Sequence, residues 1–333
     1  IQASPDYPVL IDKFVEDAFE FDVDAICDGR TTIIGGIMEH IEEAGVHSGD
    51  SACVLPPVNI DPRFIEQMAR ATKAMANELN VVGLMNVQYA LKDSQLYVLE
   101  VNPRASRTIP FVSKATGVPL AKLATKVMLG RTLQELGLTA EIVPAHISVK
   151  EAVLPFDRFP DVDILLGPEM KSTGEVMGIG SDFGAAYAKA QLGAGQNLPT
   201  SGTVFISVID NDKKTVLPVA AAYRDAGFNI MATQGTSNFL TDHGIPNQIV
   251  NKVSVGRPHV VDAIKNGEIQ LIIYTSIVGE TRRYGYYIRR NALRYIIPFE
   301  TTTAGGMAIY RAIEALRLKK TTVKTLQEYN SET

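Results

Sequence analysis

Asn86-Val87-Gln88-Tyr89-Ala90-Leu91-Lys92-Asp93-Ser94-Gln95-Leu96-Tyr97-Val98-Leu99-Glu100-Val101-Asn102-Pro103-Arg104 is the stretch from which the rest of the chain is read. Two strand-like runs flank a short polar turn, Lys92 to Gln95, which predicts a hairpin. Folding it about Ser94 sets Gln88 opposite Glu100. Side chains alternate faces along a strand. Asn86, Gln88, Glu100 and Asn102 are therefore expected on one face, and Val87, Tyr89, Leu91, Tyr97, Leu99 and Val101 on the other. Directly opposed Cβ atoms lie about 5 Å apart. One carboxylate and two amide oxygens so close together suit a hard cation that keeps water and phosphate oxygens as its other ligands, as Mg²⁺ does with a nucleotide. The same residues also suit the solvated face of a half-buried hairpin.

Around this hairpin, 333 residues are too many for one ordinary core and fit two or three domains. A composition of 46% hydrophobic and 21% charged residues is that of a globular chain. The net charge of −5 argues against sequence-independent nucleic-acid binding. Cys27 and Cys53 have no metal-site spacing, and two lone thiols fit a reducing compartment. No apolar run reaches the roughly 20 residues that span a bilayer, and no signal peptide is visible. A cytoplasmic protein without membrane or nucleic-acid partners is expected. The chain opens on Ile1-Gln2-Ala3-Ser4-Pro5 without Met, which reads as a segment of a longer polypeptide.

Before the hairpin, Val9 to Phe14 reads as a short strand. Glu20 to Cys27 alternates, with Phe21, Val23, Ala25 and Cys27 on one side and Glu20, Asp22 and Asp24 on the other. The Asp28-Gly29-Arg30 turn returns it as a second hairpin through Ile34. Asp61-Pro62 starts a helix with an acidic cap and a first-turn proline. Helices are expected over 111–115, 120–129 and 181–192, and a strand over 146–154. Gly193 to Pro199 reads as a linker. Beyond it the apolar strands 203–209, 229–232 and 270–275, with a short strand at 296–299, alternate with helices at 212–226, 233–237 onward, 259–265, 286–295 and 303–316. That alternation predicts a parallel, doubly wound sheet. The fold class is thus α/β, with an antiparallel part in residues 1–194 and a parallel part in 195–333.

Beyond the hairpin, several other groups carry potential chemistry. Arg104 and Arg107 suit charge neutralisation on a transferring phosphoryl group, or are surface arginines. Gly45-Val46-His47-Ser48-Gly49-Asp50 has small residues whose backbone admits a ligand closely. Gly235-Thr236-Ser237 sits at a strand-to-helix turn, where free N–H groups favour phosphate or serve as an ordinary cap. Arg282, Arg283, Arg289, Arg290 and Arg294 form a basic run that is either a solvated face or the border of an anionic pocket.

Gly45 to Pro57 (GVHSGDSACVLPP), Asn86 to Ala121, Leu165 to Gly178 (LLGPEMKSTGEVMG) and Asn251 to Ile269 (NKVSVGRPHVVDAIKNGEI) closely resemble the carbamoyl-phosphate synthase large chain. The resemblance covers essentially the whole chain. It implies a C-terminal lobe of the second ATP-grasp unit followed by a methylglyoxal-synthase-like allosteric domain. The parent reaction would phosphorylate carbamate with ATP, for pyrimidine and arginine synthesis. The fragment itself would be inactive for want of the loop over the triphosphate.

The same resemblance implies the following roles. Gln88, Glu100 and Asn102 hold Mg²⁺ or Mn²⁺, and Gln88 and Glu100 also face the nucleotide. Glu20 takes the ribose hydroxyls, Lys13 and Val15 lie beside adenine, and Gly45, Val46, His47 and Ser48 add nucleotide contacts. Arg104 and Arg107 are the catalytic arginines. Glu42, Asp50 and Glu151 match an ornithine-type site. Ser207, Thr233, Thr236 and Lys252 match an effector phosphate site, with uridine monophosphate, inosine monophosphate and phosphoribosyl pyrophosphate all open. Arg257-Pro258 stand where true methylglyoxal synthases place a catalytic Asp, so this domain is expected to regulate. The intact enzyme would also use K⁺ and a glutaminase small chain, which mostly contacts other regions. Oligomeric state is open. The rival readings are another ATP-grasp ligase, of the biotin-carboxylase kind, and a nucleotide-binding regulatory module.

Overall fold

The computed structural model describes residues 14–15, 18–156, 158, 164–275, 280–318 and 321–331, without the side chains of residues 43 and 280–284. The expected strand at 9–14 lies outside the described residues except for Phe14, which is irregular. The first part runs β1 (Phe19–Asp28), β2 (Thr32–Glu43), β3 (Cys53–Leu55), α1 (Pro62–Glu78), β4 (Val82–Lys92), β5 (Gln95–Asn102), α2 (Ile109–Thr116), α3 (Leu120–Met128), β6 (Ile147–Val153), β7 (Gly174–Gly180) and α4 (Phe183–Gly193). Its strands form one antiparallel seven-stranded sheet in the order β5-β4-β1-β2-β3-β6-β7.

β1 is buried from Phe21 to Cys27. Its odd-numbered residues Phe21, Val23, Ala25 and Cys27 pack with Val87, Tyr89 and the α1 residues Met68 and Ala76. On the other face, Ile26 packs with Phe111, Val112 and Ala115 of α2 and Leu120 of α3. Toward the strand's start that face switches to Asp24, Asp22 and Glu20. Asp61 caps α1 by accepting the Arg63 N–H, and Pro62 takes the first helical position.

The hairpin holds one departure from simple alternation. Its turn is the two-residue Asp93-Ser94, both at positive φ (49° and 64°), the geometry of tight hairpins. Lys92 pairs with Gln95, Ala90 with Tyr97 and Tyr89 with Val98; then a bulge leaves Leu99 unpaired, and Gln88 pairs with Glu100. Tyr97 therefore shares the face of Ala90 and not of Tyr89, and Leu99 belongs to neither ladder. The expected partnership of Asn86, Gln88, Glu100 and Asn102 holds because the bulge shifts the register by one.

The second part runs β8 (Thr203–Ser207), α5 (Lys213–Asp225), β9 (Asn229–Thr233), α6 (Gln234–Asp242), β10 (Gln248–Val250), α7 (Val260–Lys265), β11 (Leu271–Tyr274), α8 (Glu280–Arg294), β12 (Phe299–Glu300), α9 (Thr303–Leu318) and α10 (Leu326–Ser331). Its parallel sheet has the order β10-β9-β8-β11-β12. One apolar core joins the two parts: Val54, Val149, Ala186, Tyr187 and Ala190 pack with Val204, Ile206, Ala308 and Ala312. The sequence reading omits β3, β7, β10 and α10, and follows β2 only to Ile34, whereas it runs to Glu43.

Glycine permits the close approach of β7 to α4, which carries Ala186 and Ala190 into this core. A Cβ on Gly178 of β7 would overlap the Ala186 carbonyl oxygen and the Ala190 amide of α4, both backbone atoms that cannot give way. Gly174, four residues earlier, faces open space. Gly178→Val is expected to cost at least ~3 kcal/mol of stability, the upper end of overpacking, while Gly174→Val costs less than ~1 kcal/mol. Urea denaturation of both variants measures the difference.

Candidate functional site

The polar faces of β1, β4 and β5 and the loop after β2 enclose a cavity of about 390 Å³. It is lined by Glu20, Gly45, Val46, His47, Ser48, Gln88, Glu100, Asn102, Arg104 and Arg107, so residues from four separate stretches of sequence meet in one place. Val15 is half-buried and is not part of this lining. Lys13 lies outside the described residues.

Two amides in the cavity are oriented by their own hydrogen bonds. Gln88 Nε2 donates to Ser48 Oγ at 3.2 Å, and Asn102 Nδ2 donates to Glu100 Oε1 at 2.7 Å. In each, one N–H is spent on the protein, and the carbonyl oxygen is available to another partner. Together with the Glu100 carboxylate this makes an all-oxygen donor set, which fits Mg²⁺ or Mn²⁺ carrying water and phosphate ligands. Among the described residues no three His, Cys, Asp or Glu side chains converge as a metal cluster; the fit rests on one carboxylate and two amides.

His47 Nδ1 accepts the Gly49 N–H at 2.9 Å, which places the proton of the neutral ring on Nε2. Gly45 N–H donates to Glu20 Oε1 at 3.3 Å. Lys150, on β6 and 1% exposed, donates to the carbonyls of Ser48 (3.1 Å), Gly49 (3.4 Å) and Ser51 (2.7 Å), which holds this loop against the sheet. Burial opposes the Lys150 charge, yet Cys53, Glu175, Glu151 and Glu42 keep its proton on above the ordinary lysine range.

Beneath the cavity lies a buried polar network. His40 Nε2 is 2.8 Å from Asp22 Oδ2, and His40 Nδ1 is 3.5 Å from Glu20 Oε2. Asn86 Nδ2 bridges Asp22 Oδ1 (3.1 Å) and Asp24 Oδ1 (2.9 Å). Burial works against the charge of His40, but Cys53, Asp22 and Glu20 hold its proton well above the usual imidazole range. Burial alone would raise the Asp22 carboxyl; His40, Asn86 and Gln88 bring it below its ordinary value. Asp24 is equally buried but has only Thr108, Ser106 and Asn86 as donors, and burial pushes it up to about 6. Reading the sequence gives Asp22, Asp24, His40, Asn86, Ser106, Thr108 and Lys150 no site role. The available signal was a run of acids on an otherwise apolar strand and a lone Lys within Ile147–Val153.

A second, acidic cavity of about 170 Å³ brings together Glu42, Asp50 and Glu151 from the first part and Glu300 and Thr301 from the second. Asp50 accepts the Ser172 and Lys171 N–H groups, each at 2.8 Å, and Glu42 accepts the Ala52 N–H at 2.7 Å. Gln191 donates to Glu151 at 2.9 Å. Burial, then the Glu42 charge, pushes Glu151 up to about 8. Burial, with Glu42 and Glu151 beside it, holds Glu300 well above the carboxylate range.

A third cavity, about 570 Å³, opens at the C-terminal ends of β8, β9 and β11 and is lined by Ser207, Thr233, Lys252, Asn211 and Thr275. This is where doubly wound sheets bind ligands. Ser207 and Thr233 hydroxyls lie 2.8 Å apart. Thr236 stands behind the lining: its Oγ1 accepts the Val208 N–H at 3.1 Å and so shapes the loop. Of the basic run, Arg289 is buried (1% exposed) near Tyr274, a residue of this cavity; the Arg282 and Arg283 side chains lie outside the described ones. Arg257 pairs with Asp262 on the surface.

Residues 2–136 match the family model described as the carbamoyl-phosphate synthase L chain, ATP binding domain, and residues 215–301 match the MGS-like domain. The chain is 57% identical over 333 residues to the carbamoyl phosphate synthase large chain of Archaeoglobus fulgidus, covering 100% of this chain and 31% of that one. It is 56% identical over 336 residues to the large chain of Nostoc sp. (99% and 30%) and 54% identical over 317 residues to that of Pasteurella multocida (95% and 30%). It thus spans under a third of the length of the curated relatives it matches. The chain thus combines a region matching the ATP-binding domain of the carbamoyl-phosphate synthase L chain with a region matching the MGS-like domain, and along its whole length it is similar to about a third of the carbamoyl phosphate synthase large chain.

Proposed function

We propose that this chain supplies part of the site at which a carbamoyl-phosphate synthase transfers the γ-phosphoryl of ATP to carbamate, together with the regulatory domain of that enzyme. One observation carries the reading: Gln88, Glu100 and Asn102 line the same cavity as Arg104 and Arg107, with an N–H of each amide bonded within the protein. In the reaction a carbamate oxygen bonds to the γ-phosphorus, the bond to the β–γ bridging oxygen breaks, and ADP leaves. Arg104 and Arg107 offset negative charge on the transferring group, and Glu20 and the 45–48 loop orient the nucleoside. Glu100, Gln88 and Asn102 would hold Mg²⁺ or Mn²⁺, which neutralises charge on the phosphates when bound. The intact enzyme would also use K⁺, work in the cytoplasm and pair with a glutaminase small chain.

The third cavity would take a nucleotide or sugar-phosphate effector, with Lys252 on its phosphate and Ser207 and Thr233 as hydroxyl donors. The acidic cavity would take an amine-bearing activator of the ornithine type. Residues 1–194 and 195–333 would be the synthetic and allosteric domains. Domain assignments, site roles and partners are parts of this one reading.

Glu100 is exposed on an edge strand, so Glu100→Gln is expected to leave folding intact and weaken MnADP binding at least ~10-fold. Calorimetry with and without Mn²⁺ checks it; an unchanged affinity would remove Glu100 from the metal.

Titration with uridine monophosphate, inosine monophosphate and phosphoribosyl pyrophosphate tests the third cavity. Lys252→Met is expected to weaken the effector that binds by ~10-fold or more, and Thr236→Ala by severalfold through the Val208 loop. No affinity for any of the three would sink the assignment.

The raised Glu151 carboxyl makes a pH prediction. It binds its proton more tightly folded than unfolded, so its contribution to stability is full below the ordinary 4.5 and is lost as pH rises through about 8. Thermal melts of the wild type should decline over that window relative to Glu151→Gln. Binding of a cationic amine should strengthen with pH, because it favours the ionised carboxyl. Parallel melting profiles for the two proteins would show that Glu151 is already ionised.

A further inference from the structure

Asp24 is not in the lining of the first cavity, yet it is 0% exposed and both its oxygens are occupied. Ser106 Oγ donates to Oδ1 at 2.7 Å and Thr108 Oγ1 donates to Oδ2 at 2.6 Å, from 82 and 84 residues away. The two hydroxyl oxygens are themselves 2.8 Å apart. Asn86 Nδ2 adds a third bond to Oδ1 at 2.9 Å. Asp24 sits on β1 between two neighbours, opposite Asn86 in the regular ladder with β4 and opposite Gly36 of β2, beside the irregularity where Gly35 is skipped, so its backbone is held from both sides. Residues 103–107, by contrast, lie outside any helix or strand.

The two tethers fall on either side of Arg107, and Arg104 lies two residues before the first. Arg107 is exposed, so its reach is set by where its backbone is held. A buried carboxylate is an expensive anchor, since an apolar side chain of similar size would cost less to bury. What it provides is a rigid, charge-assisted attachment for an otherwise irregular loop. Functional groups gain from such support because small displacements at a reacting group cost much of its effect.

We propose that Asp24 is a positioning residue that fixes the Arg104–Thr108 loop through the Ser106 and Thr108 hydroxyls, and thereby aims Arg104 and Arg107 at the phosphoryl end of the nucleotide. This rests on the reading of the cavity as an ATP site.

A double-mutant cycle on the chain tests it, with the magnesium complex of β,γ-imido-ATP as ligand and calorimetry as readout. Arg107→Ala is expected to weaken binding ~10-fold in the wild type and less than ~2-fold in Asp24→Asn, because the arginine is already misplaced there. Thr108→Val should behave like Asp24→Asn, and Thr108→Ser, which restores the hydroxyl, like the wild type. The Thr108 pair keeps the test decisive should Asp24→Asn fail to fold, which circular dichroism reveals. An equal Arg107→Ala penalty in wild type, Asp24→Asn and Thr108→Val overturns the inference while leaving the ATP site standing. A wild-type chain with no affinity for the nucleotide overturns the ATP reading and this inference with it.

Discussion

One unpaired residue sets the chemistry of the central hairpin. From the Asp93-Ser94 turn, a regular ladder would continue past Tyr89–Val98 to put Gln88 opposite Leu99 and Asn86 opposite Val101. Glu100 and Asn102 would then turn toward α1, onto the face where Val87 and Tyr89 are 0% exposed. An unpaired carboxylate there would lie among apolar side chains, which disfavours its charge. The bulge at Leu99 removes the conflict: it sends Glu100 to the face of Gln88 and returns Val101 to the face of Val87. The constraint is therefore shared. The apolar face cannot accept the acid, and the oxygen cluster cannot form without the slip.

β1 shows the same logic on a longer scale. Its odd positions are apolar throughout, while its even positions change from Glu20, Asp22 and Asp24 to Ile26 where α2 and α3 begin to cover the sheet. Asp22 and Asp24 are two residues apart and equally buried, yet their carboxyls move in opposite directions. Burial disfavours charge on both. Asp22 faces the protonated His40, whereas Asp24 faces two hydroxyls and an amide that it shares with Asp22. A cation compensates for burial; neutral donors only lessen its cost. The network under the cavity consequently combines one carboxyl held below its ordinary value with one pushed up to about 6.

The hairpins, the α1 cap and the alternation of the second part were legible because each is written in neighbouring residues: a turn, an Asp-Pro, a period of two or of 3.6. The oxygen cluster was legible for the same reason, though the fold about Ser94 reached the right partners without the bulge that produces them. Tyr97 and Leu99 show what that missed. β3 and β7 escaped notice because Cys53–Leu55 is very short and Gly174–Gly180 holds three glycines, two of which, Gly178 and Gly180, serve the approach to α4 and not strand formation. The supporting residues were hidden more deeply. Asp24 and Thr108 are 84 residues apart, and Lys150 meets the loop about a hundred residues before it. No local period encodes such a contact.

β6 ties the first two cavities to each other. Adjacent strand residues point to opposite faces, so Lys150 lines the first cavity and Glu151 the acidic one. The loop after β2 divides in the same way, with His47, Ser48 and Gly49 lining the first and Asp50 the second. The cavities therefore share walls without sharing a lining residue. Glu300 reaches the acidic cavity from β12 of the parallel sheet, so a ligand there contacts both parts of the chain and the loop that Lys150 pins. A bound group can influence a distant site only if its contacts differ between two arrangements of the wall between them. Here that wall is a single strand and one loop, held by three carbonyl bonds to one buried ammonium.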